Sequence, residues 1–283
     1  MTSIQHRFPR GRRVATTIAA GVAVVALAAC SSSTPATAPE ASEDGSLGTI
    51  RVGALPVPAG DILTWVDENL APEAGLDIEW VEFTDYNTPN PALSDGSTEA
   101  NLFQNSTFME TYNSQAGGTL VSVGEVYLPA AAFYSESLTS IDELGEGATI
   151  AIPNDPTNEG RALGILAAEG LISVEEGATN LDGITENPSN FQFTEVENAT
   201  LPLAIPDNDA VFVTASFALP AGLTQDQAIL TEGDDSDYFN ILATTPELQD
   251  DPRVAALYEL LTSEETDAYM LETWGGLIVP GTE

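Results

Sequence analysis

The sequence contains no lysine, and its only histidine and only cysteine, His6 and Cys30, lie within the first thirty of its 283 residues. The rest of the chain therefore lacks the side chains of Ser-His and Cys-His nucleophilic sites, of Schiff-base lysines and of the usual zinc ligand sets. A single cysteine also excludes a disulfide bond within the chain. These absences argue against the common classes of enzyme.

Positive charge is scarce beyond the N-terminus. Only Arg51, Arg161 and Arg253 oppose all 44 acidic residues there, which leaves a net charge of −41. Such a surface repels nucleic acid, so no nucleic-acid partner is expected. The charge fits either adaptation to high salt or a general habit of acidic secreted proteins. No stretch has the spacing of a calcium-binding loop, and neither a metal nor another cofactor is predicted.

The N-terminus has the parts of a secretory signal. Four arginines precede an apolar run at 14–29, which closes on Leu27-Ala28-Ala29-Cys30. Because this run is shorter than the ~20 apolar residues of a membrane span, residues 1–29 are predicted to be a signal peptide rather than an uncleaved anchor. The closing residues resemble the lipobox of bacterial lipoproteins. That resemblance implies a diacylglycerol on Cys30, which would attach the protein to the extracytoplasmic face of the cell membrane.

A tether and a folded body follow the signal. Residues 30–48 are rich in serine, threonine, alanine, proline and acidic residues, and they are predicted to form a flexible tether. In the body, 49–283, β-branched segments alternate with segments of helical spacing. This alternation predicts an α/β fold with largely parallel sheets and a ligand site at the carboxyl ends of the strands.

One segment of the body suggests an anion site. A strand at 148–152 is followed by Asp155, a favourable N-cap, by Pro156, which suits the first helical position, and by an apolar helix through residue 168. Arg161 lies one turn into this helix, where the helix dipole and the guanidinium together favour a carboxylate or a phosphate. An internal ion pair with one of the many acids is the alternative.

The same segment carries a family resemblance. Ala151-Ile152-Pro153-Asn154-Asp155-Pro156-Thr157-Asn158-Glu159-Gly160-Arg161 is similar to the central motif of the methionine-binding lipoproteins of ABC importers, the NlpA family. Val81-Glu82-Phe83-Thr84-Asp85-Tyr86 and Asn101-Leu102-Phe103-Gln104 resemble two further blocks. The resemblance implies a type II periplasmic-binding fold with two lobes around a cleft. Lobe one would comprise 49–128 and 238–283, and lobe two 129–237.

The resemblance also implies a set of ligand residues. Tyr86 and Phe103 match the aromatic wall around a methionine side chain, whose sulfur packs well against ring edges. Arg161 matches the arginine that grips the ligand carboxylate. Asn154 and Asn158 match the polar residues beside the helix start. Three positions depart from the family pattern, and these are Asn105 in place of histidine, Phe108 in place of tyrosine, and Thr214 in place of asparagine.

The predicted function is capture without catalysis. The family implies an extracellular binding protein that takes a small apolar amino acid, methionine or a related compound, and delivers it to the permease of an ABC importer. Two alternatives stay open. The departures at the pocket fit a surface lipoprotein with a degenerate cleft, and the abundance of acids fits a hydrolase with a carboxylate pair.

Overall fold

Two β-sheets carry the fold of the described residues, which in the computed structural model are 46–233 and 236–281. The strands are β1 (Gly48–Ala54), β2 (Leu76–Glu82), β3 (Ala100–Asn105), β4 (Val121–Pro129), β5 (Ala131–Tyr134), β6 (Thr149–Pro153), β7 (Ser173–Val174), β8 (Ile184–Glu186), β9 (Gln192–Val196), β10 (Ala210–Thr214), β11 (Ala228–Thr231), β12 (Asn240–Thr244) and β13 (Ile278–Pro280).

Helices pack against both sheets. They are α1 (Asp61–Asn69), α2 (Pro89–Ser94), α3 (Ser106–Ala116), α4 (Pro156–Ala168), α5 (Leu201–Ala204), α6 (Ala215–Ala218), α7 (Pro252–Leu261) and α8 (Glu264–Trp274). None of these helices is long and apolar enough to cross a membrane. The predicted signal peptide and Cys30 lie outside the described residues.

The first sheet has the order β13-β4-β12-β3-β1-β2, and the second has the order β11-β5-β10-β6-β9. Strands β7 and β8 form a small antiparallel pair. The chain passes between the sheets twice. The first crossing, at 129–131, leads from β4 to β5, and the second leads from β11 to β12, between Thr231 and Asn240. Each sheet therefore combines with its own helices, and the two crossings connect them.

The sheets are mixed, which corrects the expectation of largely parallel sheets. Strands β1, β2 and β3 are parallel, as are β6, β9 and β10, and helices connect them along the chain. Parallel neighbours need such crossover connections. Strands β4, β5, β11 and β12 instead lie at the two crossings, where no helix returns the chain to the same sheet, and they pair antiparallel.

The core lies on both faces of the central strands. Every residue of β3, β10 and β12 is buried, as is typical of strands covered on both sides. Helix α4 begins as predicted, because the Asp155 carboxylate accepts a hydrogen bond from the backbone of Asn158 at 3.0 Å and Pro156 occupies the first turn. Burial of Leu163 and Leu166 then fixes this helix against the second sheet.

The first described residues fall within the segment predicted as a tether. The Ser46 hydroxyl donates to the Gly75 carbonyl, and the Leu47 amide donates to the same oxygen at 2.7 Å. Strand β1 then begins at Gly48, which pairs with Leu76. The first strand thus starts one residue earlier than the predicted start of the body at residue 49.

Candidate functional site

A small cavity lies where the carboxyl ends of β3 and β10 meet the start of α4. Seven of the eight predicted ligand residues line it, together with Gln104, Pro129 and Asn240. The seven are Tyr86, Phe103, Asn105, Phe108, Asn158, Arg161 and Thr214. The cavity volume is about 10 Å³, which is close to the space that one water molecule needs. An amino acid therefore requires the cavity to enlarge, as separation of two lobes would allow.

Aromatic rings form one wall of the cavity. Tyr86 lies 5.9 Å from both Phe103 and Phe108, measured between ring centroids, and Phe103 meets Phe108 edge to face at the same distance. Phe217, within α6, adds a fourth ring 4.9 Å from Tyr86. Tilted and edge-to-face rings at these distances attract one another beyond their buried area. The wall is thus an apolar surface to which residues from both sheets contribute.

A hydrogen bond crosses the cavity between Tyr86 and Thr214. Their hydroxyl oxygens are 3.1 Å apart, and both side chains are buried. Burial raises the pKa of the Tyr86 phenol, against smaller opposing effects of hydrogen bonds with Ser216 and Thr214 and of the Arg161 charge. Tyr86 therefore stays a neutral phenol at physiological pH. The hydroxyl of Thr214, where the family pattern has an asparagine, is engaged by Tyr86.

Buried amides support the aromatic wall from behind. Gln104 and Asn90 exchange two hydrogen bonds, of 2.6 and 2.8 Å, so both polar atoms of the Gln104 amide have partners. Asn105 accepts a hydrogen bond from the Phe108 amide at 2.9 Å and thereby caps α3. The residue that replaces the family's histidine thus holds Phe108 in place.

Arg161 is buried beneath the cavity and is held by three groups. Its Nε donates to Glu232 Oε1 at 2.8 Å, and its Nη2 donates both to Glu232 Oε2 and to the Pro129 carbonyl, the latter at 3.0 Å. The ring of Tyr238 lies over the guanidinium, 4.7 Å from Cζ. The internal ion pair considered from the sequence is therefore present. It occupies only one edge of the guanidinium.

Four lining residues keep side-chain polar atoms that have no hydrogen-bond partner among the described residues. Arg161 keeps Nη1 and Asn105 keeps Nδ2, and both of these atoms are donors. Asn158 donates its amide nitrogen to both oxygens of Asp155, each at 3.1 Å, and keeps Oδ1. Asn240 donates to the Tyr127 hydroxyl at 3.1 Å and also keeps Oδ1. An ionised carboxylate only accepts, so Asp155 fixes the orientation of the Asn158 amide.

This set of atoms complements a zwitterion. The unused donors of Arg161 suit a carboxylate, and the two amide oxygens suit an ammonium group. None of the lining residues is acidic, so the cavity offers no carboxylate pair for hydrolysis. Among the described residues, no group of three or more potential metal ligands is arranged to hold a metal ion.

Asn154 occupies a different place from the other predicted residues. It is exposed and lines an adjoining groove of about 370 Å³, which shares Tyr86 and Phe108 with the cavity. Asp155 also lines this groove and accepts hydrogen bonds from Asn158 and, at 2.7 Å, from Asn198. The segment after β6 therefore places Asn158 at the cavity and Asn154 at its outer side.

Sequence reasoning did not select Asn240, Gln104 or Glu232. Asn240 begins an otherwise apolar strand, and a polar residue at that position is a usable signal. Gln104 stands between Phe103 and Asn105, which were both selected. Glu232 gave no signal, because the sequence has 44 acidic residues and nothing in it marks the one that reaches Arg161.

Comparison with known proteins agrees with this site. The family model of the NlpA lipoproteins matches residues 50–282. The D-methionine-binding lipoprotein MetQ of Salmonella typhi is 36% identical over 240 residues, which is 82% of this chain and 88% of that protein. Outer membrane lipoprotein 1 of Mannheimia haemolytica is 33% identical over 252 residues, 87% of this chain and 90% of that protein.

Solved structures give the same result. A nutrient binding protein from Burkholderia cenocepacia, determined bound to methionine, superposes with a TM-score of 0.79 at 32% identity and covers 82% of this chain and 99% of its own. Lipoprotein Tp32 from Treponema pallidum superposes with a TM-score of 0.79 at 32% identity, over 83% of this chain and 99% of its own. The predicted resemblance and the two-lobe periplasmic-binding fold are confirmed, and the chain belongs to the NlpA lipoprotein family.

Proposed function

We propose that this protein captures a small amino acid with an apolar side chain, methionine first, outside the cell and delivers it to the permease of an ABC importer. The protein is a binding protein and not an enzyme, as its family indicates. The observation that carries the proposal is a set of polar atoms at the cavity that have no partner in the part of the chain that the structure describes. They comprise two donors on Arg161 Nη1 and acceptors on Asn158 and Asn240. An α-amino acid head group needs that combination.

The carboxylate of the ligand binds Arg161. Four of its five N–H donors lie on Nη1 and Nη2, and the pair on Nη1 has no acceptor among the described residues. The ammonium binds the oxygens of Asn158 and Asn240. Thr214 is a ligand residue implied by the resemblance, and its hydroxyl lies 3.1 Å from the Tyr86 hydroxyl, so the amide oxygens supply the main acceptors in this proposal.

The side chain of the ligand packs against Tyr86, Phe103 and Phe108. A thioether makes favourable contacts with ring edges, whereas a charged side chain would lose its hydration there without gaining a partner. The relative from Salmonella typhi is named for D-methionine and the structure from Burkholderia cenocepacia contains methionine. Both support methionine here, and neither fixes the chirality that this chain prefers.

Membrane attachment through Cys30 is part of the proposal. Relatives are lipoproteins by name, and Cys30 is the only thiol of the chain. Two lobes, 49–128 with 238–283 and 129–237, would close on the ligand about the two crossings. Cys30→Ser should release the protein to the medium or leave an unprocessed precursor. Unchanged partitioning of that variant into the detergent phase would refute the anchor.

Calorimetry on the purified body, run at high salt, tests the ligand. The panel comprises L- and D-methionine, leucine, a methionine dipeptide, glutamate and lysine. The affinity for methionine should exceed the affinities for glutamate and lysine by at least about tenfold. The reason is that burying an unpaired charged side chain in an apolar site costs well over about 1.4 kcal/mol. Preference for glutamate or lysine would overturn the apolar site, and binding of the dipeptide alone would exclude the free amino acid. No binding by any of them would favour a degenerate cleft.

A further inference from the structure

Glu232 stands at the second crossing between the sheets, directly after β11, and its side chain is 6% exposed. It contacts Arg161 through both of its oxygens. The same two oxygens accept further hydrogen bonds, Oε1 from the Ser236 hydroxyl at 2.9 Å and Oε2 from the Ala131 amide at 3.3 Å. Its carboxylate is therefore fixed by the chain on both crossings before Arg161 is considered.

The contacts of Arg161 leave it a single orientation. Glu232 holds the edge formed by Nε and Nη2, the Pro129 carbonyl takes the remaining hydrogen of Nη2, and the Tyr238 ring covers one face. A guanidinium is planar and rigid, so fixing one edge and one face also fixes the direction of Nη1. Nη1 is the group that the proposed function assigns to the ligand carboxylate.

We propose that Glu232 is the positioning residue of the carboxylate site, and that it sets the direction in which Arg161 presents Nη1. This inference rests on the proposed function. It differs from simple charge compensation, in which any anion beside Arg161 would serve. It also links the carboxylate site to the two crossings, because Pro129 lies at the first crossing and Glu232 and Tyr238 lie at the second.

Two substitutions distinguish positioning from charge compensation. Glu232→Asp keeps the negative charge but is one methylene too short to hold both Nε and Nη2 from the same backbone. Glu232→Gln keeps the length but removes the charge. Positioning predicts weaker binding of methionine in both variants, by about ten- to a hundredfold, since a hydrogen bond to a charged group is lost or bent. Charge compensation alone predicts unchanged affinity for Glu232→Asp and tighter binding for Glu232→Gln.

A second measurement compares two ligands that differ in their carboxylate. Each variant is titrated with methionine and with methioninamide, which has no carboxylate. If Glu232 acts through Arg161 on the carboxylate, both variants lose affinity for methionine while their affinity for methioninamide stays within about threefold of the parent. Equal losses for the two ligands would make Glu232 a merely structural residue and overturn the inference. If the parent protein binds methionine and methioninamide equally well, the binding of the ligand carboxylate by Arg161 is refuted. That result concerns the proposed function and is distinguishable from a failure of the inference about Glu232.

Glu99→Gln is the matched control. Glu99 pairs with the other two arginines of the folded body, Arg51 and Arg253, and does not line the cavity. Its substitution should lower the melting temperature and leave methionine affinity within about twofold. Near-ultraviolet circular dichroism identifies any Glu232 variant that has not folded. Glu232→Asp changes only the length of the side chain, and Glu232→Gln removes only its charge. For each variant the two explanations predict different affinities, so one folded variant is enough to decide between positioning and charge compensation.

Discussion

Arg253 and Arg161 are two buried arginines in the same surroundings, each in the first turns of a helix and each paired with a buried acid. Arg253 follows the N-cap of α7, and Arg161 lies one turn into α4. Their side chains are 6% and 2% exposed, and those of their partners Asp251 and Glu232 are 0% and 6% exposed. From burial and pairing alone, the two residues would receive the same interpretation.

The two arginines differ in how many of their N–H donors have acceptors. Every nitrogen of the Arg253 guanidinium has an acceptor: Nε and Nη2 donate to Asp251, and Nη1 donates to the Thr49 carbonyl at 2.6 Å and to Glu99 at 3.1 Å. Arg161 leaves Nη1 without a partner among the described residues, beside a cavity. A salt bridge therefore does not mark an arginine as structural. The count of unused donors distinguishes an arginine that joins elements of the fold from one that can still bind a ligand.

Arg253→Ala should have the largest effect on stability. It strands the Asp251 carboxylate, which is fully buried, and removal of one partner of a buried pair costs about 3–5 kcal/mol. For a body of this size the melting temperature should fall by about 6–20 °C. Methionine affinity of the protein that remains folded should stay within about twofold, as measured by calorimetry well below the melting temperature. A large loss of affinity would erase the distinction between the two arginines.

Arg161→Ala should have the largest effect on binding. Loss of the carboxylate partner should weaken methionine binding by roughly a hundred- to several-thousand-fold. Because the substitution also strands Glu232, we expect it to destabilise the fold, and the double variant Arg161→Ala with Glu232→Ala should recover stability without recovering affinity. If calorimetry on the folded double variant gives affinity within a few-fold of the parent, Arg161 is structural like Arg253.

The third arginine of the folded body, Arg51, allows the effect of salt on an exposed and a buried ion pair to be compared. Arg51 is 37% exposed and lies 3.4 Å from Glu99, so Arg51→Ala should cost less than about 1 kcal/mol at low salt. At 1 M NaCl, where the Debye length is ~3 Å, the cost of Arg51→Ala should fall to what its hydrogen bonds to the Ser97 and Gly96 carbonyls contribute, while the cost of Arg253→Ala persists. The parent protein, with its net charge of −41 beyond the signal, should melt at a higher temperature in 1 M NaCl than at low salt. A flat or falling melting temperature would contradict repulsion among the surface acids.

The sequence predicted what local rules and the family pattern determine. The start of α4 follows from Asp155 and Pro156, and the aromatic residues at 86, 103 and 108 follow from the resemblance. The order of strands in the mixed sheets did not follow, because antiparallel pairing at the crossings depends on how the chain passes between sheets. The partner of Arg161 did not follow either, since 71 residues separate it from Glu232 and many acids could have served.

Glu159 extends the comparison to the buried acids, because unlike Asp251 it has no arginine partner among the described residues. It lies on α4 two residues before Arg161, is 2% exposed, and its Oε1 has no hydrogen-bond partner among the described residues. Burial first, and then repulsion by Glu195, raises the pKa of Glu159 from 4.5 to about 7. Burial alone would also raise the pKa of Asp251, but hydrogen bonds from Arg253 and its charge lower it below the usual range.

The two acids should therefore have opposite effects on stability as pH changes. Folded Glu159 keeps its proton to higher pH than the unfolded chain does, so its contribution is complete below pH 4.5 and is lost as pH rises through about 7. The contribution of Asp251 is complete above its unfolded pKa and is lost only in acid. Glu159→Gln, which mimics the protonated acid, should raise the melting temperature at pH 8 and leave it nearly unchanged at pH 5. Glu195→Gln, the control, removes only the lesser cause and should give a smaller rise at pH 8. An equal shift for Glu159→Gln at both pH values would show that the side chain is not titrating, and that a buried acid without an arginine is tolerated in its charged form.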